Sequence, residues 1–583
     1  MRLFRYLAFV IVASLSVATA QAQSLDAGAV GKHVEDNLSR VMSVAVIGPW
    51  EHGDVNVADE GGYFTVTVND AFLGSNLRVG NFSFTMEPVG EGQYRVESQE
   101  FPSSLQIEGG PQIQLEGYTW RGLWSVESQS YKDLSWGYTS LKVADDEGIL
   151  STGAMALTLA GAGDQQLDWS LENLNFIHLD EKITISLDNI ALGGSINGEQ
   201  SYDLFALYSN VVEGFRDEDG NFNPDDLSKL QSVTSMIDIE FDYSDASLQL
   251  SNFKMAVPEE KLNLAFGDLQ LSVTANDMLS ATDGSYALVS SMNEVAINTT
   301  EGNVSLDSAK YEGLMSNIDG PLYQAASKKL FTTGEDAVAT MGDLLNVYMN
   351  FNSASFQASG TGLTVVRPGS KKSMRAETGN FELALTDVRE SGAVLAMNIR
   401  SKDVTLNEFL DKLTSGLIPQ DTNLSIRFED LPLAGLKEAL AEQPIEGGLL
   451  DSTGLENALE ASAPALMGVF FGSPPKIVVP ASHILGDLFK VDVDGAFNVD
   501  PSSPLFALGE MQIFVKGFQS ITAVAQEVAA GKDRSAAKRA SVLISGLPVA
   551  QIFGEAAGDD TFVYNIKIDE AGTLTVNGKP MPF

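Results

Sequence analysis

The feature that most constrains this chain is a period-two alternation of apolar and polar residues that returns along most of its length. It begins at Phe64, Val66 and Val68, continues at Phe82, Phe84 and Met86, and reappears at Leu167, Trp169 and Leu171. Further copies stand at Ile183, Ile185 and Leu187, and at Ile237, Ile239, Phe241 and Tyr243. Successive side chains of a strand point to opposite faces, so each stretch presents one apolar face and one face of Asp, Asn, Ser, Thr and Glu. Antiparallel sheets with one wet side read this way, whereas parallel strands buried on both sides are apolar throughout. The expected fold is mainly β with helices, an α+β chain. It is built on a long twisted antiparallel sheet, an elongated groove or a sandwich, with a helix-rich C-terminal part.

A short repeat rides on these strands: apolar, any residue, Asn/Asp/Glu, apolar, any residue, apolar. It occurs at Leu171–Phe176 and Leu187–Leu192, with further copies starting at Leu250, Phe266, Met292 and Phe428. Each copy sets a three-residue step inside a two-residue rhythm, which turns the apolar side chain to the wrong face unless a β-bulge absorbs it.

Helical spacing interrupts the strands. Asp26–Val44 carries Val30, Val34, Leu38, Val41 and Met42 on one stripe, suited to packing on a sheet. A helical pair is expected within 202–236, and Pro321–Asn346 reads as helix apart from its Thr-Thr-Gly break. Later helices are expected at Leu406–Leu417, Leu433–Glu442, Leu455–Phe471, Phe518–Ala530 and Ser535–Phe553, before strands at Phe562–Ile568 and Leu574–Val576. The expected organisation is a signal peptide at 1–22, a mainly antiparallel β region over 23–400 and an α+β region over 401–583. One continuous sheet with late helical insertions fits the same pattern.

Composition narrows the function classes. The chain has 583 residues, 36 Lys+Arg against 78 Asp+Glu, a formal charge of -42 and no cysteine. Hydrophobic residues make up 44%, too many for a disordered chain. Disulfide staples and thiolate metal sites are excluded. So acidic a chain has no basis for neutralising phosphates, so no nucleic-acid partner is expected. Arg2 and Arg5, the uncharged run Leu7–Ala18 and the small residues at Ala18, Ala20 and Ala22 read as a cleavable secretory signal. The run is too short for a stable bilayer anchor, and no later stretch is apolar enough to span one. The expected location is a bacterial periplasm, with no transmembrane segment in the mature chain.

The ending Tyr564-Asn565-Ile566-Lys567-Ile568, followed by Gly572-Thr573-Leu574-Thr575-Val576-Asn577-Gly578-Lys579-Pro580-Met581, resembles the close of YdgA-like bacterial envelope proteins. Phe428-Glu429-Asp430-Leu431-Pro432-Leu433, leading into a helix, is similar to that family's C-terminal half. The broader organisation resembles AsmA-like envelope proteins, which implies an elongated β structure with an apolar channel for lipid.

No catalytic motif is legible. The histidines His33, His52, His178 and His483 stand at no zinc-binding spacing, and Gly193-Gly194-Ser195 lacks the second glycine of a nucleophile elbow, Asn197 standing there. No catalytic residue and no cofactor is therefore assigned. The metal candidate is the acidic loop containing Asp217, Asp219, Asn221 and Asn223, whose oxygens can converge on calcium. Phe222 takes the place of an EF-hand glycine and Ser228 that of its glutamate. A helix start capped by Asn223 and opened by Pro224 is the preferred reading. Met467, Phe470 and Phe471, in the uncharged stretch Ala461–Pro475, are the candidate contacts for an apolar ligand or a membrane. Arg367, Lys371, Lys372 and Arg375 are a basic cluster in an acidic chain, either decorating a hairpin tip at Pro368-Gly369 or docking an anionic partner. The tryptophans fall between Trp50 and Trp169 and are read as core or groove-lining.

These features point to a non-enzymatic envelope protein that handles lipid or another apolar ligand through a sheet groove. The alternatives are a periplasmic scaffold whose acidic surface binds an envelope protein partner, and an outer-membrane barrel, against which Pro580 and Pro582 in the final strand argue.

Overall fold

A computed structural model describes residues 26–41, 50–73, 77–90, 92–127, 130–160, 164–197, 243–277, 281–331, 340–369, 371–407, 410–445 and 452–581. The expected signal peptide, the expected helical pair at 202–236 and the acidic loop with Asp217, Asp219, Asn221 and Asn223 lie outside the described residues. The chain is mainly β with helices, and its strands pair antiparallel, as the alternation requires. It divides into two compact units, on either side of Asn276 and Asp277.

In the N-terminal unit the amphipathic stripe becomes helix α1 (Ala27–Val41), whose first turn is capped by Asp26 Oδ1 accepting from the Ala29 amide at 2.8 Å. Val30, Val34, Leu38 and Val41 are all buried, in one cluster with Phe84, Met86, Tyr94, Trp120 and Trp124. The strand Phe64–Leu73 buries its alternate residues Phe64, Val66 and Val68 completely in that cluster. Aromatic rings fill the space between layers: Phe84 meets Trp120 edge-on at 5.1 Å, and Trp124 meets Tyr131 at 5.1 Å. The Tyr131 hydroxyl donates to the Val41 carbonyl at 2.7 Å, satisfying an acceptor that the last helical turn leaves open.

The unit continues into long strands, Asp164–His178, Thr184–Asn197, Tyr243–Val257 and Leu262–Asn276. The repeat acts here, by a different device from the expected bulge. Glu172 faces Asn189 and Leu174 faces Leu187, so one residue on each strand, Asn173 and Asp188, is passed over and the register is kept. Asn173 is left-handed at φ 51°, and Leu171 and Leu174 on either side of it are both buried. The left-handed residue turns the strand over, and Asn tolerates that conformation better than a branched residue does. Asn252, at φ 54°, repeats the turn between the pairs Ser251–Asp268 and Phe253–Phe266.

The C-terminal unit repeats this step at Glu294 (φ 54°) and Gly362 (φ 67°). Its ladder runs through Gly284–Asn298, Asn303–Ile318, Ser353–Val366, Ser373–Thr386, Ala393–Lys402, Asp421–Leu431, Lys476–Leu485, Lys490–Val499, Ala507–Lys516 and Thr561–Ile568. Pairing passes straight through residue 400, since Ala393–Lys402 joins Ser373–Thr386 on one side and Asp421–Leu431 on the other. The division between compact units thus falls at 276, and around residue 400 the sheet is continuous with helices inserted late.

Those helices are α2 (Gly320–Phe331), α3 (Met341–Tyr348), α4 (Lys412–Gly416), α5 (Leu433–Leu440), α6 (Ser452–Gly472), α7 (Phe518–Ala529) and α8 (Arg534–Phe553). They gather at opposite ends of the strands. α2, α3, α5 and α6 sit where Asn303–Ile318 and Asp421–Leu431 finish, around Ile318, Met341, Phe351, Val388 and Leu440. α4, α7 and α8 sit at the other end, around Leu413, Ile521, Ala525 and Ala540. α4 is shorter than the expected Leu406–Leu417 because Asp411 Oδ1 caps the amides of Leu413 and Thr414, starting the helix there. Leu406 instead belongs to a short strand paired with Ser373–Arg375.

The ending that resembled YdgA-like proteins forms a hairpin, Asn577 and Gly578 both left-handed between Leu574–Val576 and Lys579–Pro580. Asn577 Nδ2 donates to the carbonyls of Phe553 and Val563 at 2.8 and 2.7 Å, while its Oδ1 accepts from the Asn565 amide at 2.8 Å. Lys579 Nζ donates to the Ile552 carbonyl at 3.0 Å and the Tyr564 hydroxyl to that of Ala550 at 3.1 Å. The motif is a clamp on the C-terminal turn of α8, where a cation also complements the helix dipole. No helix among the described residues is long and apolar enough to cross a membrane.

Candidate apolar ligand site

Register places the apolar residues of the C-terminal unit in rows across its strands. One row runs Ala354, Leu385, Leu395, Phe428, Ile477 and Phe497, each opposite the next. A second runs Phe356, Leu383, Met397 and Ile426, and a third Ala358, Phe381, Ile399 and Leu424. The residues between them, among them Ser355, Gln357, Glu382, Asn398 and Arg427, give the polar face. None of the apolar residues in the second and third rows is buried, and Phe356 and Leu383 remain 43% and 37% exposed. The helices at the strand ends cover Ala354 and Leu385 but not these middle rows. An apolar sheet face is left half in water.

At the end of the first row lies a pocket of about 400 Å³ between α3, α5 and α6. Leu345, Met349, Leu433, Leu436, Leu440, Leu466, Met467 and Phe470 line it, with Lys437 as the charged member. Two glycines let the helices close up. A side chain at Gly435 would meet Val469 Cγ1 at 2.9 Å, and one at Gly342 would meet the Ala441 carbonyl oxygen at 2.6 Å. α3 starts with a capping box between Thr340 and Asp343, whose carboxylate also takes a bond from Lys329 at 3.1 Å. Burial opposes the Asp343 charge, but the bonds from Lys329 and Thr340 outweigh it and hold its pKa below the usual value.

Lys437 makes no ion pair within 4.0 Å among the described residues. Its pKa is lowered, first by burial and then by the Arg389 guanidinium, with Asp319 pulling the other way. Arg389 is held by bonds from its Nη2 to the carbonyl and side-chain oxygens of Asn350, both 3.3 Å. The Asp319 carboxylate is occupied in capping α2 through the Leu322 amide.

Of the residues singled out in the sequence, Met467 and Phe470 line this pocket, and Phe471 packs edge-on against Phe470 at 5.9 Å rather than lining it. The basic cluster decorates a hairpin: Pro368, Gly369 and Lys371 are exposed at its tip, the Arg367 amide bonds the Lys372 carbonyl, and Arg375 lies on the strand beyond, opposite Thr364. That hairpin lies at the strand ends away from the pocket, since Ser373–Arg375 pairs with Thr405–Asn407 just before α4. Among the described residues no cluster of three or more His, Asp or Glu is arranged to hold a metal. In the N-terminal unit a depression of about 450 Å³ is lined by Arg95, Glu97, Arg121 and Asp133 among others, but Arg95 is already paired with Glu87 at 2.7 Å and Asp133 bonds the Leu123 amide. Trp120, Trp124 and Trp169 are buried in the core, which excludes them as a ligand platform.

The leucines of α3 and α5 and Lys437 escaped sequence reasoning. Their helical spacing was visible, but their convergence joins segments about ninety and thirty residues apart. Comparison of the chain with family models, with curated proteins and with solved structures gives no match.

Proposed function

We propose that this chain is an exported, non-enzymatic envelope protein that binds lipid or another apolar ligand on the open apolar side of its antiparallel sheet. The observation that carries the reading is the half-exposed band of Phe356, Phe381, Leu383, Met397 and Ile399, over which none of the described helices of its unit packs. Contiguous exposed apolar surface is costly in water and marks a site of association. The resemblance to YdgA-like and AsmA-like envelope proteins points the same way, as does the N-terminal segment with its basic start and apolar run.

The test is mass spectrometry of organic extracts from the protein purified without detergent from its native compartment, beside the double variant Phe356→Asp, Leu383→Asp. Lipid in stoichiometric amount on the natural chain, lost from a variant with unchanged circular dichroism, is the expected outcome. A lipid-free natural chain that is stably folded sinks the reading and leaves a scaffold that binds a protein partner through its acidic surface.

A further inference from the structure

We propose that the pocket between α3, α5 and α6 takes a single-chain anionic amphiphile, with the acyl tail among Leu345, Leu436, Leu440, Leu466 and Phe470 and the carboxylate or phosphate head on Lys437. This rests on the reading that the protein handles apolar ligands, and adds the charge and the place of the head.

Three observations carry it. The pocket is walled by apolar side chains and its volume lies in the range of small-molecule sites. Among the described residues lining it the single charged group is an ammonium, in a chain where acids outnumber bases 78 to 36. In so acidic a molecule a half-buried lysine with no ion pair within 4.0 Å among the described residues is conspicuous, because a partner would stabilise it. Asp319 attracts Lys437 but makes no ion pair with it within 4.0 Å and caps α2, while Arg389, fixed by Asn350, adds a second positive charge. An incoming anion relieves both the burial of Lys437 and its repulsion by Arg389. A neutral lipid relieves neither. Met467, 52% exposed while lining the pocket, puts the pocket's edge in contact with solvent, so a chain longer than the cavity has an exit.

The experiment titrates the full chain, stripped of bound lipid, with myristate, tetradecanol, lysophosphatidate and inorganic phosphate, following heat or displacement of a fluorescent fatty acid. Myristate and lysophosphatidate saturate at one per chain, and tetradecanol binds about tenfold more weakly, as expected for the loss of one charge-assisted contact. Lys437→Gln lowers myristate to the level of the alcohol, Lys437→Arg keeps the preference, and Leu436→Trp, which fills the cavity, weakens all three amphiphiles. Thermal melts of the three variants establish that they are folded.

Equal affinity for acid and alcohol overturns the proposal, as does a preference that survives Lys437→Gln. Phosphate competing as well as lysophosphatidate makes the site a bare anion site, and overturns it too. If the natural chain carries extracted lipid that the pocket variants leave unchanged, this proposal fails while the sheet-face reading stands. Clean extracts together with no binding of any amphiphile remove both.

Discussion

The strands around Phe64 and those around Leu383 share one sequence rhythm and meet opposite fates. Phe64–Leu73 alternates fully buried with partly exposed residues, whereas no side chain of Ser373–Thr386 is buried. The difference is what lies opposite. In the N-terminal unit α1 and a layer of large rings, Trp120, Trp124, Tyr94 and Phe84, fill the space over the apolar face. In the C-terminal unit the described helices stand at the strand ends, and none of the described residues forms such a lid over the middle of the face. Alternation therefore announces that a face is apolar, while bulky aromatic residues from elsewhere decide whether it is covered. The tryptophans stop at Trp169.

The sharpest way to break this comparison is truncation in each region. Trp124→Ala removes a fully buried ring and should cost the N-terminal unit about 3–5 kcal/mol in denaturant unfolding, whereas Phe356→Ala on the open face should cost well under about 1.5 kcal/mol. Equal losses would mean the second face is covered after all.

Next in size is the clamp on α8. Asn577→Ala removes bonds to Phe553, Val563 and Asn565 and should cost about 2–3 kcal/mol, with early hydrogen exchange in the last turn of α8. Loss of less than about 0.5 kcal/mol would show that the hairpin does not hold the helix.

Acid should then separate the units. Asp411 joins α4 to α8 through Arg539 at 2.9 Å. Burial works against its charge, but bonds from Thr414 and Arg539 prevail and bring its pKa to about 2. A carboxylate depressed below its ordinary 3.8 binds its proton later in the fold than in the unfolded chain. Its contribution, on the order of 2 kcal/mol, is present above pH 3.8 and lost between there and about 2. Asp411→Asn should remove that part of the acid sensitivity, as read from melting temperature against pH.

The smallest effect belongs to His33. Its Nε2 accepts from Trp124 Nε1 at 3.1 Å, and burial lowers its pKa below 6.5, with Asp36 opposing. The neutral ring is the folded form, so the unfolded chain takes up the proton first. Stability from this group is whole above pH 6.5, declines below it, and is gone once pH passes the lowered folded value. The N-terminal unit should thus soften at mildly acid pH, before the C-terminal unit does, and His33→Gln should flatten the difference. Identical pH profiles for the natural chain and the variant would refute the assignment.

Much of the local structure was legible. α1, α7 and the last strands fall within a few residues of their expected bounds because a stripe or an alternation over ten or more residues outweighs individual propensities. Met467 and Phe470 stood out because an uncharged stretch such as Ala461–Pro475 is unusual in so acidic a chain. What the residues did not reveal is tertiary. Lys437 is a single lysine on an eight-residue helix, and its meaning comes only from Arg389 and the leucines brought to it. Likewise Leu406 sat in an expected helix until a neighbouring strand claimed it, pairing with Met374.

The left-handed step at Asn173, Asn252, Glu294 and Gly362 has a further consequence for assembly. In an ordinary sheet, a strand that slips by two residues keeps its apolar side chains on the same side, so nothing penalises the error. Here each of these strands reverses its phase partway along, at a level its neighbour must share. A two-residue slip would leave the residues between the displaced steps out of phase, pressing Leu174 or Phe253 toward the wet side. The inversion works as a vernier mark, by which long and otherwise monotonous strands measure their alignment during folding.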